Sequence, residues 1–363
     1  MLVKRFFACL LALALLVGML SGCAAKPSET AAGPMVLFTD SLGRKVGIPA
    51  SLTRVAPSGA VASMFLAVVA PEYMSTINAT PSSSQYRYLN PRLIGLPTTG
   101  QMYGSKSALN LESILTSGVQ VVIDLGDKKD NMAADLDALQ RQIGMPVIFI
   151  EADLPHMAEA YRTLGKILSG KEARGEELAA FVEETVSMAE ENAANIQDSE
   201  RISVLYTSGS SGLNTNAKGS IQAQVLDLMG IENAAVVEDV SNKGGGNPIN
   251  LEQLYRFDPD VILFAAGSIY QTAAADEAWQ PLRAIQAGRY YEVPSMPYNW
   301  LSGPPSLNML LGVWWLGNLL YPQYYDYDMV EKTQEMFRLF WAYDLSADEA
   351  RAMLANSTLK DAS

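Results

Sequence analysis

The amino-acid sequence predicts an α/β fold in which two lobes are joined by one long helix. Three observations support this prediction. Strands alternate with helices along most of the chain, a long amphipathic segment lies near its middle, and two similar segments flank that segment. Several strands are near-continuous apolar runs, which is typical of buried parallel sheets. At 363 residues, the chain is long enough for two hydrophobic cores.

The long amphipathic segment covers residues 171–196. Its apolar and small residues recur at spacings of three and four, as in Leu178, Val182 and Ala189, so they share one helix face. A helix of this length would extend about 40 Å. We therefore predict an N-terminal lobe at 35–153, a helical segment with the interlobe spine at 154–197, and a C-terminal lobe at 198–363. The alternative is an ordinary surface helix of a single domain.

An internal repeat supports the two-lobe interpretation. NLESILTSGVQVVIDL at 110–125 and NLEQLYRFDPDVILFA at 250–265 align without a gap, with an identical Asn-Leu-Glu opening and a following strand. Chance similarity of two helix–strand units is the alternative. Matching segments on both sides of a long helix favour duplicated architecture.

The other elements are predicted from apolar runs, periodicity and turn residues. The N-terminal lobe begins with a hairpin around 38–46. Its further elements are a strand at 54–56, a helix at 60–69, a short strand at 74–78, a long loop at 80–104, a strand at 119–125, a helix at 131–143 and a strand at 146–150. The C-terminal lobe has strands at 202–206, 261–265 and 290–293, and helices at 222–229, 307–320, 328–340 and 346–355.

The N-terminus predicts export. Lys4 and Arg5 precede an apolar run, and residues 20–23 (LSGC) resemble the lipobox of bacterial lipoproteins. The resemblance implies a signal peptide at 1–22, diacylglycerol on Cys23, a lipidated tether at 23–34 and an extracytoplasmic protein anchored to the cell membrane. A plain secretory signal is the alternative. Cleavage would remove the other cysteine, Cys9, so no internal disulfide is expected.

Composition excludes some function classes. The formal net charge is −13, and no basic run suggests a nucleic-acid surface. The single histidine, His156, argues against a Ser-His-Asp hydrolase and a zinc site, and we expect no metal site in the protein itself. The glycine-rich stretches TSGSSG and KGGGN match neither the P-loop nor the dinucleotide-binding pattern.

Five segments between about residues 36 and 355 are informative together: FTDSLGRKVGIP, the NLE…VVI unit, SIQAQVLDLMGIENAA, NLEQL…DPDVILF and WQPLRAIQAGRYYEVPS. Together they resemble the substrate-binding lipoproteins of bacterial ABC importers. The resemblance is to the helical-backbone class that serves iron–siderophore, haem and cobalamin uptake. The resemblance implies two Rossmann-like three-layer lobes, one long connecting helix and a ligand cleft between the lobes.

We therefore predict a non-enzymatic, monomeric solute-binding lipoprotein. It would capture a metal chelate, foremost a ferric siderophore, and deliver it to an ABC permease dimer and its ATPase. No covalent group other than the lipid on Cys23 is expected. Within the class, cobalamin or another corrinoid, haem, and a bare oxyanion such as molybdate are alternatives. An exported carboxylate-based hydrolase and an extracytoplasmic sensor or adhesin are alternatives from other classes.

Glu112 and Glu252 open the two repeated helices. Each carboxylate follows an asparagine cap in the first turn, where it stabilises the helix by roughly 0.3–1 kcal/mol. That local role is sufficient to explain both residues. The resemblance implies a second role, in which the two glutamates dock onto arginines of the permease. Arginine can bind a carboxylate through two parallel hydrogen bonds.

Candidate ligand-binding residues follow the strand ends, because ligands of parallel α/β sheets bind beyond the carboxyl ends of strands. Aromatic and cationic groups suit a large, anionic and partly apolar chelate. For any single aromatic residue, packing in the core or at the rim is the alternative. The candidates are Ser58, Tyr86, Arg87, Met102, Tyr103, Lys128, Asn214, Tyr298, Asn299 and Trp300.

Overall fold

The structure is a computed structural model that describes residues 33–103, 108–301 and 303–358. The predicted signal peptide, Cys23 and most of the tether lie outside the described residues. The predicted α/β fold is confirmed, with parallel sheets and one long helix. No helix within the described ranges is long and apolar enough to cross a membrane.

The N-terminal half is built on a parallel sheet of three strands. A hairpin of β1 (Met35–Thr39) and β2 (Lys45–Pro49) precedes it. The sheet contains β3 (Val55–Pro57), β4 (Val121–Gly126) and β5 (Val147–Glu151), in the order β3-β4-β5. The helices of this half are α1 (Ala60–Val69), α2 (Ser83–Tyr86), α3 (Leu111–Thr116), α4 (Met132–Ile143) and α5 (Met157–Ile167).

Side chains of this sheet alternate between two apolar layers. Val121, Ile123 and Ile148 belong to the core that includes α1 and α5. Val122 and Phe149 belong to a second core with α3 and α4. Because neighbouring strand residues point to opposite faces, the apolar strands are buried on both sides and form the middle of three layers.

The C-terminal half repeats this arrangement on a four-stranded parallel sheet. The sheet contains β6 (Ser203–Thr207), β8 (Glu232–Asn233), β10 (Val261–Phe264) and β11 (Tyr290–Glu292), in the order β11-β10-β6-β8. Short strands β7 (Asn214–Thr215) and β9 (Asn247–Pro248) pair separately. The helices of this half are α7 (Gln224–Leu228), α8 (Leu251–Phe257), α9 (Arg283–Gln286), α10 (Asn308–Leu320), α11 (Met329–Trp341) and α12 (Ala347–Leu354).

The connecting helix α6 (Glu172–Asn195) lies within one residue of its predicted bounds. Its apolar face packs on α5 of the first half and on α10 and α7 of the second. Trp314 of α10 donates its indole N–H to the hydroxyl of Thr185 at 2.9 Å, inside the core. The helix is therefore packed between the two halves, and one continuous core joins faces of both sheets.

Two predicted elements differ from the structure. The strand expected at 74–78 is reduced to isolated bridges, Val55 to Met74 and Ile77 to Thr98. The long loop at 80–104 contains α2, whose start is capped by Ser82 and Gln85 in a reciprocal capping box. A cap and one turn are too short to produce a periodic signal in the sequence.

Candidate ligand site and docking helices

A cavity of about 390 Å³ lies between the two halves. On one side it is lined by residues that end β3 and β4 or follow them, including Ser58, Asp124 and Asp127. On the other side it is lined by Gln222 and Asn242, from loops of the C-terminal half. The volume is within the range of small-molecule sites, and the position beyond the strand ends is the one expected for a parallel sheet.

Asp124 is a buried carboxylate on this wall, with 5% of the residue exposed. Ser58 donates its hydroxyl proton to Oδ1 of Asp124, whereas Oδ2 has no hydrogen-bond partner among the described residues. Burial raises the pKa of Asp124 to about 6, although the Ser58 hydrogen bond and the Lys129 charge oppose this shift. The backbone holds Ser58 in place, since its N–H donates to Ile123 O at 3.0 Å.

Gln222 approaches the cavity from the C-terminal half and is 6% exposed. Its Nε2 donates to the carbonyl of Asn242 at 3.0 Å. The Oδ1 of Asn242 in turn accepts from the Ile221 N–H at 2.9 Å, which ties the two loops together. The Oε1 of Gln222 is buried and has no partner in the described parts of the chain.

The N-terminus of α1 also reaches the cavity. Gly59 precedes the helix and has no side chain that could cap it. The first-turn N–H groups, those of Ala60, Val61 and Ala62, therefore donate to no capping side chain, and these residues line the cavity. This end of a helix carries a partial positive charge. Lys129 adds a cation on the same wall, where it pairs with Asp127 at 2.9 Å. The wall therefore combines hydrogen-bond donors with buried acceptors.

Residues 115–297 match the family described as periplasmic binding proteins, which is half of the chain. The chain belongs to the periplasmic binding protein family. The resemblance to solute-binding proteins of ABC importers, predicted from the sequence, is thereby confirmed for the family. A comparison with curated protein sequences finds no match.

Solved structures of such proteins share the fold. An ABC transporter solute-binding protein of Sulfurospirillum deleyianum has a TM-score of 0.80 and 26% identity, covering 88% of this chain and 99% of the other. A periplasmic solute-binding protein of Veillonella parvula has a TM-score of 0.72 and 22% identity, with 89% and 98% covered. The molybdate-binding MolA of Haemophilus influenzae has a TM-score of 0.68 and 18% identity, with 86% and 99% covered.

Three of the predicted ligand residues of this periplasmic binding protein lie at cavities. Ser58 and Tyr103 line the cavity between the halves. Tyr298 lines an adjoining cavity of about 250 Å³, which shares Ala60, Gly303 and Pro304 with the first. Burial raises the pKa of Tyr298 to about 12, so its hydroxyl stays protonated at neutral pH.

The other predicted ligand residues lie off the main cavity wall. Arg87 pairs with Glu349, and Lys128 pairs with Glu151 at 2.6 Å. Trp300 is 1% exposed and donates its indole N–H to Met296 O at 2.9 Å, so it packs in the core. The remaining four are Tyr86, Met102, Asn214 and Asn299. Ligand contact by these residues stays a prediction.

Sequence reasoning missed Asp124 and Gln222. A usable signal existed for Asp124, because it is the one charged residue in the mostly apolar segment VQVVIDL, where burial of an unpaired charge is costly. No comparable signal marks Gln222, whose position depends on how the two halves meet.

Glu112 and Glu252 occupy equivalent places on α3 and α8. Each helix is capped by an asparagine whose Oδ1 accepts an N–H three residues later, from Ser113 at 3.1 Å and from Gln253 at 2.8 Å. Both glutamates are exposed. Within residues 33–103, 108–301 and 303–358, neither carboxylate forms an ion pair.

An exposed apolar side chain follows each glutamate by three residues. Leu115 is 52% exposed and Tyr255 is 42% exposed. On a helix, residues three apart share a face, so each helix presents an acid beside an apolar group. The internal repeat of the sequence corresponds to a helix followed by an interior strand of the sheet. These are α3 and β4 in the first half, and α8 and β10 in the second.

Proposed function

We propose that this periplasmic binding protein captures a metal chelate, foremost a ferric chelate, and delivers it to an ABC permease. The observation that carries the proposal is a cavity lined by both halves beyond the ends of β3 and β4. Its walls offer polar groups and the aromatic ring of Tyr103 around a space of about 390 Å³. The protein binds and releases the solute without chemical change.

We further propose that Glu112 and Glu252 contact arginines of the permease. Two equivalent acids on two equivalent helices suit a dimeric partner, because a dimer presents the same surface twice. Both carboxylates are exposed and form no ion pair with another described residue, so they can form bidentate pairs with arginine. The predicted lipid on Cys23 would keep the protein near that permease.

A bare oxyanion is the second candidate solute. The N-terminus of α1 lies on the cavity wall, and helix N-termini bind anions through backbone N–H groups. The buried carboxylate of Asp124 disfavours a fully deprotonated anion at the same wall because of like-charge repulsion. We therefore favour the chelate over the oxyanion as the solute.

Isothermal titration of the purified protein tests the choice of solute. The probes are a ferric siderophore, cobalamin, haem and molybdate. We expect saturable binding of the ferric chelate at micromolar concentration or below and no turnover. Binding of molybdate with no chelate binding would contradict the proposal. Mass spectrometry of solutes that co-purify from the native host gives an independent identification.

A further inference from the structure

Two residues that line the same cavity, one in each half of the protein, each carry a buried hydrogen-bond acceptor. The acceptors are Oδ2 of Asp124 and Oε1 of Gln222, and neither has a partner among the described residues. More than nine-tenths of each residue is buried. An acceptor that loses water without gaining a donor destabilises the protein, and a carboxylate does so more than an amide.

The hydrogen-bond partners of the two side chains identify these atoms as acceptors. Ser58 directs its hydroxyl proton to Oδ1 of Asp124, so that proton is not available to Oδ2. The Nε2 of Gln222 donates to the carbonyl of Asn242. If the amide oxygen and nitrogen of Gln222 were exchanged, its oxygen would face the Asn242 carbonyl oxygen. This hydrogen bond therefore identifies the atom of Gln222 that has no partner as the oxygen Oε1.

The neighbours of Asp124 define the charge of this wall. Lys129 and Asp127 pair with each other beside Asp124, and Tyr103 lies under the Lys129 ammonium at 5.3 Å. The lysine charge is therefore shared between two carboxylates. A ligand group that donates a hydrogen bond to Asp124 is favoured, and one that carries an ammonium gains further from the carboxylate.

We propose that Asp124 and Gln222 determine specificity by accepting hydrogen bonds from hydroxyl, amide or ammonium groups at the periphery of the bound chelate. This inference rests on the proposed function and narrows it from chelates in general to chelates that present donors on two sides. Each donor would satisfy an acceptor in one half, so the ligand joins the halves. A solute without donors leaves both acceptors unpaired.

The test uses three probes in isothermal titration: the ferric complex of a linear trihydroxamate with a terminal ammonium group, the same compound without metal, and molybdate, which has no donor at neutral pH. The variants are Asp124→Asn and Gln222→Met, which keep the side-chain shape. Gln334→Met is the matched control, because Gln334 also donates Nε2 to a carbonyl, Leu345 O at 2.7 Å, away from the cavity.

We expect the ferric complex to bind the native protein. Asp124→Asn should weaken its binding about tenfold or more, and Gln222→Met about fivefold. Gln334→Met should bind as the native protein does. Asp124→Asn replaces an acceptor by a donor, so the ratio of ferric-complex to molybdate affinity should fall. Circular dichroism and melting curves exclude misfolding, and the Gln222 variant gives a test independent of the charge change.

Two results separate the inference from the proposed function. Unchanged affinity for the ferric complex in both folded variants would overturn the assignment of the acceptors, while the chelate function stands. Equal affinity for the metal-free compound, with both variants weakened, would overturn the metal-chelate function and leave the acceptor pair in place. Binding of molybdate alone would overturn both.

Discussion

Gly165 of α5 and Gly175 of α6 meet backbone to backbone where the connecting helix leaves the N-terminal half. A Cβ atom on Gly175 would lie 2.8 Å from the Cα of Gly165 and 2.6 Å from the carbonyl oxygen of Tyr161. Both distances are shorter than a carbon contact permits, and the neighbouring atoms are backbone. The glycine pair therefore sets how closely the two helices approach and how α6 is directed toward the second half.

Gly175→Ala should reduce the free energy of unfolding by roughly 1–3 kcal/mol, because the added methyl group must push the two helices apart. Chemical denaturation followed by circular dichroism measures the change. Gly245→Ala is the control, since a Cβ there meets no atom within 4 Å. Equal stability of the two variants would contradict the close contact between α5 and α6.

Asp124→Asn should change how stability depends on pH. The folded-state pKa of Asp124 is about 6, above its ordinary value of 3.8, so the folded protein holds the proton more tightly than the unfolded chain. This contribution to stability is complete below about pH 4 and is lost as the pH rises through about 6. Asparagine does not titrate.

The free energy of unfolding of the native protein relative to Asp124→Asn should therefore fall by roughly 2–3 kcal/mol between pH 4 and pH 7. Asp127, Lys129 and Tyr103 surround the carboxyl and are present in both proteins. Urea titrations at several pH values give the difference. A difference that is independent of pH would show that Asp124 titrates normally.

The double variant Glu112→Ala and Glu252→Ala should keep its ligand affinity and lose transport. Both side chains are exposed on α3 and α8, away from the main cavity wall. Stimulation of the permease ATPase in proteoliposomes measures docking, and titration measures ligand binding. Glu184→Ala with Glu191→Ala is the charge-matched control on the exposed face of α6. Loss of ligand binding in the first double variant would contradict the docking role.

If Glu112 and Glu252 dock onto the permease, Leu115→Ser and Tyr255→Ser together should weaken permease binding about tenfold, because each exposed apolar group lies one turn from one of these glutamates. Surface plasmon resonance with the permease in nanodiscs measures the affinity. Val236→Ser, which removes another exposed apolar side chain, is the control. If the double variant bound the permease as tightly as Val236→Ser does, Leu115 and Tyr255 would not belong to the docking surface.

Trp300→Ala should destabilise the fold by roughly 3–5 kcal/mol, because the side chain is almost completely buried and its N–H is paired with Met296 O. Thermal and chemical denaturation measure the loss. Tyr255→Ala, at a half-exposed aromatic residue, should change stability by less than about 0.5 kcal/mol. Unchanged stability of Trp300→Ala would mean that the indole is not part of the core.

The parts of the fold with strong periodicity were predictable. The apolar residues that recur at spacings of three and four predicted both ends of α6 to within one residue. Apolar runs predicted the ends of β4, β5 and β10 to within two residues. The region at 74–78 has strand-like residues but makes only isolated bridges, because its partners are decided by tertiary packing.

The site was less predictable than the fold. Ser58 and Tyr103, which were selected by the rule that ligands bind beyond strand ends, line a cavity, and their contact with a ligand stays a prediction. The rule could not tell that Arg87 and Lys128 have acidic partners in Glu349 and Glu151, because those pairs join residues far apart in the chain. Local sequence indicates residue types at a strand end, whereas the direction of each side chain depends on the complete fold.

The shared core of α6 and α10 has a mechanical consequence. One apolar cluster continues from the first sheet to the second. Separating the two halves would therefore expose packed side chains such as Trp314 to water. We therefore expect the protein to resist wide opening of the two halves. Release of a bound solute would then require a partner that contacts both halves.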